Sequence, residues 1–467
     1  MSETITSVAL VFLAFASVSA VVFRRSHYII LLYCMVLFLF TSSDIGATEK
    51  IILIYDRGVG ALPITILNIY LIVVFVYFLC LRIFSRHHKA TESFRPGRRI
   101  YILLAFCILY LLFGVVTDIS IREILSGRGI MNIINMCLLI SILMFSIESS
   151  EILNELKNIS LFCLFISAMY GFIRYILFGG DPANFYANVE NLDVRLTYVD
   201  IGNSILFGFS FSYSVLKLLK EHLSDMKSRV FFISLSFLSL FNIIFSYRRT
   251  AWAGLLILLI WLILILEFKK KLVLIIVAFI GISIVGTYVV SKRFTGKIGV
   301  AGHSTIYGDI TSKGQVSITR GRFSELSNAT MATLKEHPFL GFGPWGRYSA
   351  RAELGNFAYF THSSIVHMLF KTGTIGLYLF CWPLISLALW TITRRKLFPK
   401  DSKFKILSDS AFGGFLFSIP DILFGTPIII YRHLQILGFF IAVIYCSYVF
   451  RNAGINRENH IIKQSRL

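Results

Sequence analysis

Residues 251–290 read AWAGLLILLIWLILILEFKKKLVLIIVAFIGISIVGTYVV, and this stretch decides the class of fold. Two long apolar runs, 251–266 and 272–290, flank a short turn that contains three lysines at 269–271. An α-helix needs roughly 20 apolar residues to cross about 30 Å of hydrocarbon, and only helices or closed barrels satisfy backbone polar groups there. The stretch therefore predicts two membrane-spanning helices joined by a basic turn.

The composition of the whole chain agrees with this prediction. Of its 467 residues 56% are hydrophobic and only 15% are charged, which is too apolar for a soluble domain of this length. The net charge of +20 is distributed between apolar runs rather than over one continuous face, which argues against a nucleic-acid-binding protein. All seven cysteines lie inside apolar segments, which argues against disulfides and against a metal held by cysteine.

Similar apolar runs along the chain predict an all-α polytopic integral membrane protein with about 12–13 transmembrane helices. The first run follows Glu3 rather than a basic residue, so it is predicted to be a retained span and not a cleaved signal. The second and twelfth runs are short, and Pro420 is expected to interrupt the twelfth. The predicted spans are 4–23, 28–40, 63–81, 100–116, 130–147, 159–178, 201–219, 230–245, 251–266, 272–290, 363–390, 411–424 and 427–450.

Lysines and arginines occur at every second connection between spans, which predicts that those connections are cytoplasmic. The basic connections are 24–25, 82–99, 217–229, 269–271, 394–405 and the tail that starts at Arg451. This topology divides the chain into N-terminal transmembrane helices (1–290), one large external loop (291–361), C-terminal transmembrane helices (362–450) and a basic cytoplasmic tail (451–467).

The large external loop contains two local patterns. Phe323, Leu326, Thr330 and Leu334 recur at helical spacing before Pro338, which predicts an amphipathic helix over the mouth of the bundle. Residues 341–346 (GFGPWG) fit the dinucleotide-binding pattern G-x-G-x-x-G by letter. Because no strand precedes them and a proline would break the required helix, they predict a tight turn instead.

Five arginines lie at or near the predicted outer ends of spans: Arg174, Arg195, Arg248, Arg249 and Arg432. Each of them alone could extend to lipid headgroups, since burial of an arginine costs roughly 2.5–3.5 kcal/mol on insertion scales. Alternatively they form an anion site, because a guanidinium group binds phosphate oxygens in bidentate fashion. Arg248 and Arg249 lie in a tight turn between two spans, which favours the anion site.

His362 lies where the large loop re-enters the membrane, in residues 361–367 (THSSIVH). The spacing to His367 does not fit the zinc motif H-E-x-x-H, and no carboxylate lies between the two histidines. His362 could be a hydrogen-bonded structural residue or, near the arginines, a general base. Lys371 lies nine residues further on in the same span and is expected to form a buried charge pair or to contact the same cavity.

Several short motifs follow one another in the second half of the chain. They are Arg195-Leu196-Thr197-Tyr198 with Asn203, Ser246-Tyr247-Arg248-Arg249-Thr250-Ala251-Trp252, Gly321-Arg322, His337-Pro338-Phe339-Leu340-Gly341-Phe342-Gly343, and His362 followed by Lys371-Thr372-Gly373-Thr374-Ile375-Gly376. In this order and topology the chain resembles the O-antigen ligase and O-antigen polymerase superfamily of bacterial envelope glycan synthesis, over roughly residues 190–390.

The resemblance implies a metal-independent, inverting glycosyltransferase without a cofactor. Its active site would face the periplasm or outside of the bacterial inner membrane. Its donor would be a glycan on undecaprenyl diphosphate, and its acceptor a glycan or glycolipid. Arg195 and the hairpin arginine would bind the diphosphate, with Arg249 matching the motif best and Arg248 remaining an alternative. His362 would deprotonate the acceptor hydroxyl.

The supporting site candidates are Arg322, His337, Lys371, Arg174 and Arg432. The family usually has an acidic residue where this chain has Lys371, and the resemblance also brings in a chain-length regulator and a flippase as partners in the bilayer.

Three functions are compatible with these features. A polymerase would extend a lipid-linked repeat chain, as in O-antigen, capsule or exopolysaccharide synthesis, and we favour it because no residue here identifies a lipid A-core acceptor. A ligase would transfer the finished chain to lipid A-core of lipopolysaccharide. A lipid-linked glycan flippase or other transporter would also have many spans and basic cavity residues, but no internal repeat is visible here.

Overall fold

The computed structural model describes most of the chain. The described residues are 13, 15–22, 25–40, 66–84, 95–126, 129–177, 201–221, 225–246, 248–281, 283, 322–351, 356–358, 361–399, 402–425 and 427–451. Apart from one small hairpin, their regular structure is helical. The predicted all-α class is confirmed.

The helices follow one another along the chain with short connections. They are α1 His27–Leu39, α2 Ile66–Phe84, α3 Arg95–Val116, α4 Ile121–Ile124, α5 Met131–Ser146, α6 Ser150–Leu177, α7 Ile201–Lys220, α8 Met226–Phe245, α9 Arg249–Ile265, α10 Phe268–Gly281, α11 Arg322–Glu336, α12 Ser364–Arg394, α13 Lys403–Phe417, α14 Ile419–Phe424 and α15 Tyr431–Val449. Short 3-10 turns cover Arg395–Leu397 and Pro427–Ile429.

Seven helices in the described part of the chain are long and apolar enough to cross a membrane, so the polytopic membrane protein is confirmed. Three shorter apolar helices, α1, α5 and α9, lie close to predicted spans. Most of the first predicted span and the end of the tenth lie outside the described residues, so the total of 12–13 spans stays a prediction. Pro420 interrupts the twelfth span as predicted, because α13 ends at Phe417 and α14 begins at Ile419.

The C-terminal helices form the centre of the bundle. In α15, 94% of the apolar window is buried, and in α13 with α14 the value is 83%, whereas the other five long spans have 28–39%. The central helix α15 packs against α5 and α13, and α13 packs against α7 and α9. A helix that protein surrounds on all sides can carry polar side chains, since neighbouring helices supply their partners.

Helix α12 is interrupted one third of the way along its length. Gly373 has φ of +64° and ψ of −166°, which is outside the helical region and strained for any residue with a Cβ. The interruption frees backbone groups that a continuous helix would pair, and in lipid such groups need other partners. The loop after α11 supplies them: Phe342 donates its N–H to the Phe370 carbonyl at 2.9 Å, and Thr374 donates to the Pro338 carbonyl at 2.9 Å.

The external loop contains one helix and one hairpin in its described part. The predicted helix is present as α11, which packs against α12; its position over the outer mouth of the bundle stays a prediction. An antiparallel hairpin of β1 (Tyr348–Arg351) and β2 (Asn356–Ala358) follows, pairing Tyr348 with Ala358. The sequence analysis did not predict these strands, because segments of three and four residues are too short to establish a period of two.

Candidate active site

The hairpin between α8 and α9 holds two arginines at the start of a helix. Arg248 is the N-cap residue, with extended backbone angles, and Arg249 is the first residue of α9. The Trp252 indole donates to the carbonyl of Ile244 at 3.0 Å, which fixes the start of α9 against the end of α8. Both arginines are partly exposed. A helix start with two guanidinium groups favours a bound anion, because helix N-termini carry partial positive charge.

His362 immediately precedes the N-cap of α12. Ser363 is that cap, and its Oγ accepts a hydrogen bond from the Val366 backbone N–H. Thr361 on the other side is fully buried and donates its hydroxyl to the Ser363 carbonyl at 3.1 Å. His362 is partly exposed, whereas His367 one turn later is completely buried. Of these two histidines, the first is therefore the one whose ring a substrate can reach.

Lys371 fastens the loop segment 337–347 to α12. Its side chain is 1% exposed, and its Nζ donates to the Gly346 carbonyl at 2.7 Å. The same loop segment receives a hydrogen bond from the Tyr110 hydroxyl to the carbonyl of Leu340. This geometry supports a structural role for Lys371 beside the predicted one. Residues 341–346 form the predicted turn, with Gly346 donating to the Gly343 carbonyl at 2.9 Å.

The remaining supporting candidates are distributed over the bundle. Arg174 is in the last turn of α6, 7% exposed, with its guanidinium carbon 5.4 Å from the centre of the Tyr170 ring. His337 is exposed and packs edge-on against the Phe342 ring at 4.9 Å. Arg322 is the first residue of α11, but its side chain lies outside the described part. Arg195 also lies outside the described residues.

Arg432 lies in the centre of the bundle. It is completely buried, and its Nε donates to the Leu37 carbonyl at 2.8 Å. Its Nη2 donates to the side-chain oxygen of Asn203, which the sequence motif after Arg195 had already included. These contacts join α15, α1 and α7. They favour a structural role for Arg432, and its role in binding the donor stays a prediction.

The sequence analysis missed a buried aspartate–histidine pair beside Arg432. His433 Nδ1 lies 3.7 Å from Asp421 Oδ2, and the side chains are 1% and 9% exposed. His433 Nε2 accepts a hydrogen bond from the Gly202 backbone N–H at 3.1 Å, so the ring hydrogen belongs on Nδ1, towards the carboxylate. An acidic residue inside an apolar run is a signal of a functional or paired site, and Asp421 in the twelfth span carried that signal.

The structure brings several of these groups to one end of the bundle. Helix α14, which carries Asp421, packs against both α9 and α12. The starts of α7 and α15 meet there through Gly202 and His433. The arrangement combines cationic side chains, a partly exposed imidazole and buried polar pairs. It can bind an anionic group and accept a proton at neighbouring positions.

The comparisons with known proteins agree with this geometry. Residues 234–381 match the family described as O-antigen ligase. The matched range contains the Arg248–Arg249 hairpin, α11, the turn at 341–346, His362 and Lys371, but not Arg195, Asn203 or Arg432. No curated protein sequence matches the chain. The family match confirms the resemblance seen in the motifs and identifies the chain as a membrane protein of the O-antigen ligase and polymerase superfamily.

Proposed function

We propose that the protein is a glycosyltransferase that polymerises undecaprenyl-diphosphate-linked oligosaccharide repeats of a surface polysaccharide. The observation that carries this proposal is the position of His362, partly exposed at the start of α12, together with Arg248 and Arg249 at the start of α9. Helix α14 packs against both of these helices. A membrane enzyme of this superfamily would carry out the reaction on the outer face of the bacterial inner membrane.

The reaction would be a displacement with inversion at the anomeric carbon of the donor sugar. His362 takes the proton of the acceptor hydroxyl, whose oxygen attacks that carbon from the face opposite the diphosphate. The bond between the anomeric carbon and the diphosphate oxygen breaks, and its electron pair leaves with undecaprenyl diphosphate. Arg249, with Arg248 and Arg195, stabilises the charge on this leaving group.

The charges involved are large enough for this role. Two unit charges about 4 Å apart interact with roughly 4 kcal/mol at an effective dielectric constant near 20, before desolvation is subtracted. Fixed guanidinium groups can therefore stabilise a departing diphosphate, which is why we propose that the reaction needs no metal ion. Turnover by the purified protein should then be unchanged when a chelator such as EDTA is present.

The alternative within the superfamily is a ligase that transfers the chain to lipid A-core. The matched family is described as O-antigen ligase, which keeps this alternative open. A flippase or other transporter is the alternative from another functional class.

Glycan analysis of a deletion strain distinguishes these functions. A polymerase predicts that single repeats accumulate on the carrier lipid, and that the wild-type gene restores long chains whereas His362→Ala does not. Long chains retained on carrier lipid would identify a ligase instead. Carrier-linked glycans of normal amount and length would contradict both enzymatic functions.

A further inference from the structure

A second charged cluster lies at the end of the helices opposite the candidate active site. It forms where α7 ends, where α13 begins and where the second turn of α6 lies. We call it the basic cluster; its members are Lys157, Lys217, Lys220, Glu221, Arg395, Lys403 and Asp409. The sequence places this end in the cytoplasm, since it includes two of the basic connections.

One half of the basic cluster surrounds a buried carboxylate. Asp409 is 2% exposed, and its Oδ2 accepts a hydrogen bond from Lys220 Nζ at 3.1 Å. Arg395 donates from Nε to Oδ1 at 2.7 Å and from Nη2 to Oδ2 at 3.1 Å. Both carboxylate oxygens are therefore occupied by two cations. This half retains one net positive charge.

The other half brings lysines together from three different helices. Lys157 of α6 lies within electrostatic reach of Lys217 of α7 and Lys403 of α13. Glu221 is the carboxylate that also acts on Lys157, but it already forms an ion pair with Lys217. The Nζ of Lys157 donates to the neutral side-chain oxygen of Asn154 at 2.5 Å. Three cations here thus share one carboxylate.

Together the two halves hold five cations and two carboxylates, which leaves an excess of three positive charges. Several of these cations are only partly exposed, with 20% for the side chain of Lys217, 21% for Lys220 and 26% for Arg395. Like charges held close together and partly shielded from water repel one another. A bound anion would remove this repulsion.

Phosphate is the anion that fits the cluster best. Lysine ammonium groups bind phosphate oxygens as point charges, and several helices here present them towards one position. Exposed apolar side chains on the adjoining faces of α6 and α8, including Phe162 at 58% and Val230 at 54%, indicate that acyl chains border this end of the bundle. Basic pockets between transmembrane helices on the cytoplasmic side are a known site for anionic headgroups.

We propose that the basic cluster binds the phosphate of an anionic phospholipid headgroup in the inner leaflet. The lipid would connect α6, α7 and α13 by neutralising charges that no described carboxylate balances. The proposal does not depend on the glycosyltransferase reaction, because these residues are at the other end of the helices.

Native mass spectrometry of the purified full chain can test this proposal. The protein would be taken from nanodiscs of phosphatidylcholine with phosphatidylglycerol, and retained phosphatidylglycerol would be measured. The Lys157→Gln, Lys403→Gln double variant should bind phosphatidylglycerol about tenfold more weakly than the parent chain, because each lysine near an anionic lipid adds to affinity.

A matched control removes the same charge elsewhere at the same end of the bundle. Lys269→Gln with Lys271→Gln, at the α9–α10 turn, should retain phosphatidylglycerol like the parent chain. Equal retention by the Lys157 and Lys403 double variant would overturn the proposal. Displacement of the lipid by millimolar inorganic phosphate would overturn the lipid as occupant and identify a soluble phosphate ester. Should the double variant not fold, Lys403→Gln alone, at an exposed position, should still lower retention.

Discussion

The backbone N–H of Thr374 donates to the carbonyl oxygen of Pro338 at 2.9 Å, so the interrupted helix that follows His362 is completed by the preceding loop. The Phe342 N–H donates in the opposite direction to Phe370, which makes the connection reciprocal. Lys371 adds a side-chain bond to the same loop. The first part of α12, which begins next to His362, is therefore held on both sides of its interruption.

Gly373→Ala should destabilise this connection. An added Cβ would lie 2.2 Å from the Phe339 carbonyl oxygen, and the positive φ disfavours any side chain. Strain of this kind costs about 1–3 kcal/mol before the steric clash is added. A thermal-unfolding scan of the purified protein should show a clearly lower Tm. Gly438→Ala is the milder control, because its Cβ would meet Met136 at 3.2 Å within a regular helix; equal Tm values for the two variants would contradict the assignment.

Arg249→Lys and Arg195→Lys should each abolish most activity while the protein is still expressed. Lysine keeps the positive charge but loses the planar fork that binds two phosphate oxygens. We expect a tenfold to hundredfold loss in kcat/KM, since a charge-assisted hydrogen bond contributes about 1.5–3 kcal/mol. Arg248→Lys, measured beside them, shows which hairpin arginine is essential. Full activity of both the Arg249 and the Arg195 variant would reduce these residues to headgroup anchors.

His362→Ala should lose turnover but still bind the lipid-linked donor. The variant removes a proton acceptor without removing the arginines, so we expect kcat to fall by about 10² to 10⁴. Arg249→Ala should instead lose donor binding, which a binding assay with labelled donor would measure. His27→Ala is a suitable control, because His27 pairs with Glu155 at 3.8 Å at the opposite end of the bundle. Near wild-type turnover of His362→Ala would eliminate the base role and make His367 the next residue to test.

The predicted topology can be tested by thiol labelling. Cysteines placed at Ser304 and Ser317 should react with an impermeant reagent in intact spheroplasts, and one at Ser402 should not, because the large loop is predicted outside. Cys80 is the cysteine with an exposed side chain and should first be replaced by serine. Labelling with the reverse pattern would invert the orientation of the whole bundle.

His433→Leu should loosen the start of α7. The substitution leaves the buried Gly202 N–H without its acceptor, at a cost of about 1–3 kcal/mol. His433→Gln retains a side-chain oxygen and should be milder. Hydrogen exchange at residues 201–206 is the direct measurement, and unchanged protection in the leucine variant would show that the imidazole does not hold this helix start.

Much of the fold could be predicted from the sequence because the membrane limits the alternatives. Apolar runs of sufficient length must be helical in lipid, so the positions of α8 and α9 and the break at Pro420 follow from local sequence. The helix from Arg322 to Glu336 was visible for the same local reason, through its periodicity.

The candidate site was only partly predictable. His362 and the pair Arg248 and Arg249 stand out because charged and titratable residues at span ends are rare and costly. Lys371 was recognised as buried, but its partner Gly346 was not, because a backbone carbonyl carries no sequence signal.

What the sequence by itself determined is the number and order of apolar segments and the ionisable residues at their ends, since hydrophobicity and charge are properties of each residue. Only the tertiary structure decided that α15 is central, that Gly373 interrupts α12, and that His433 meets Gly202 from 231 positions away. Such contacts depend on which helix faces lie together. Helix packing sets those faces through the shapes of side chains from distant parts of the chain, and a local pattern does not contain them.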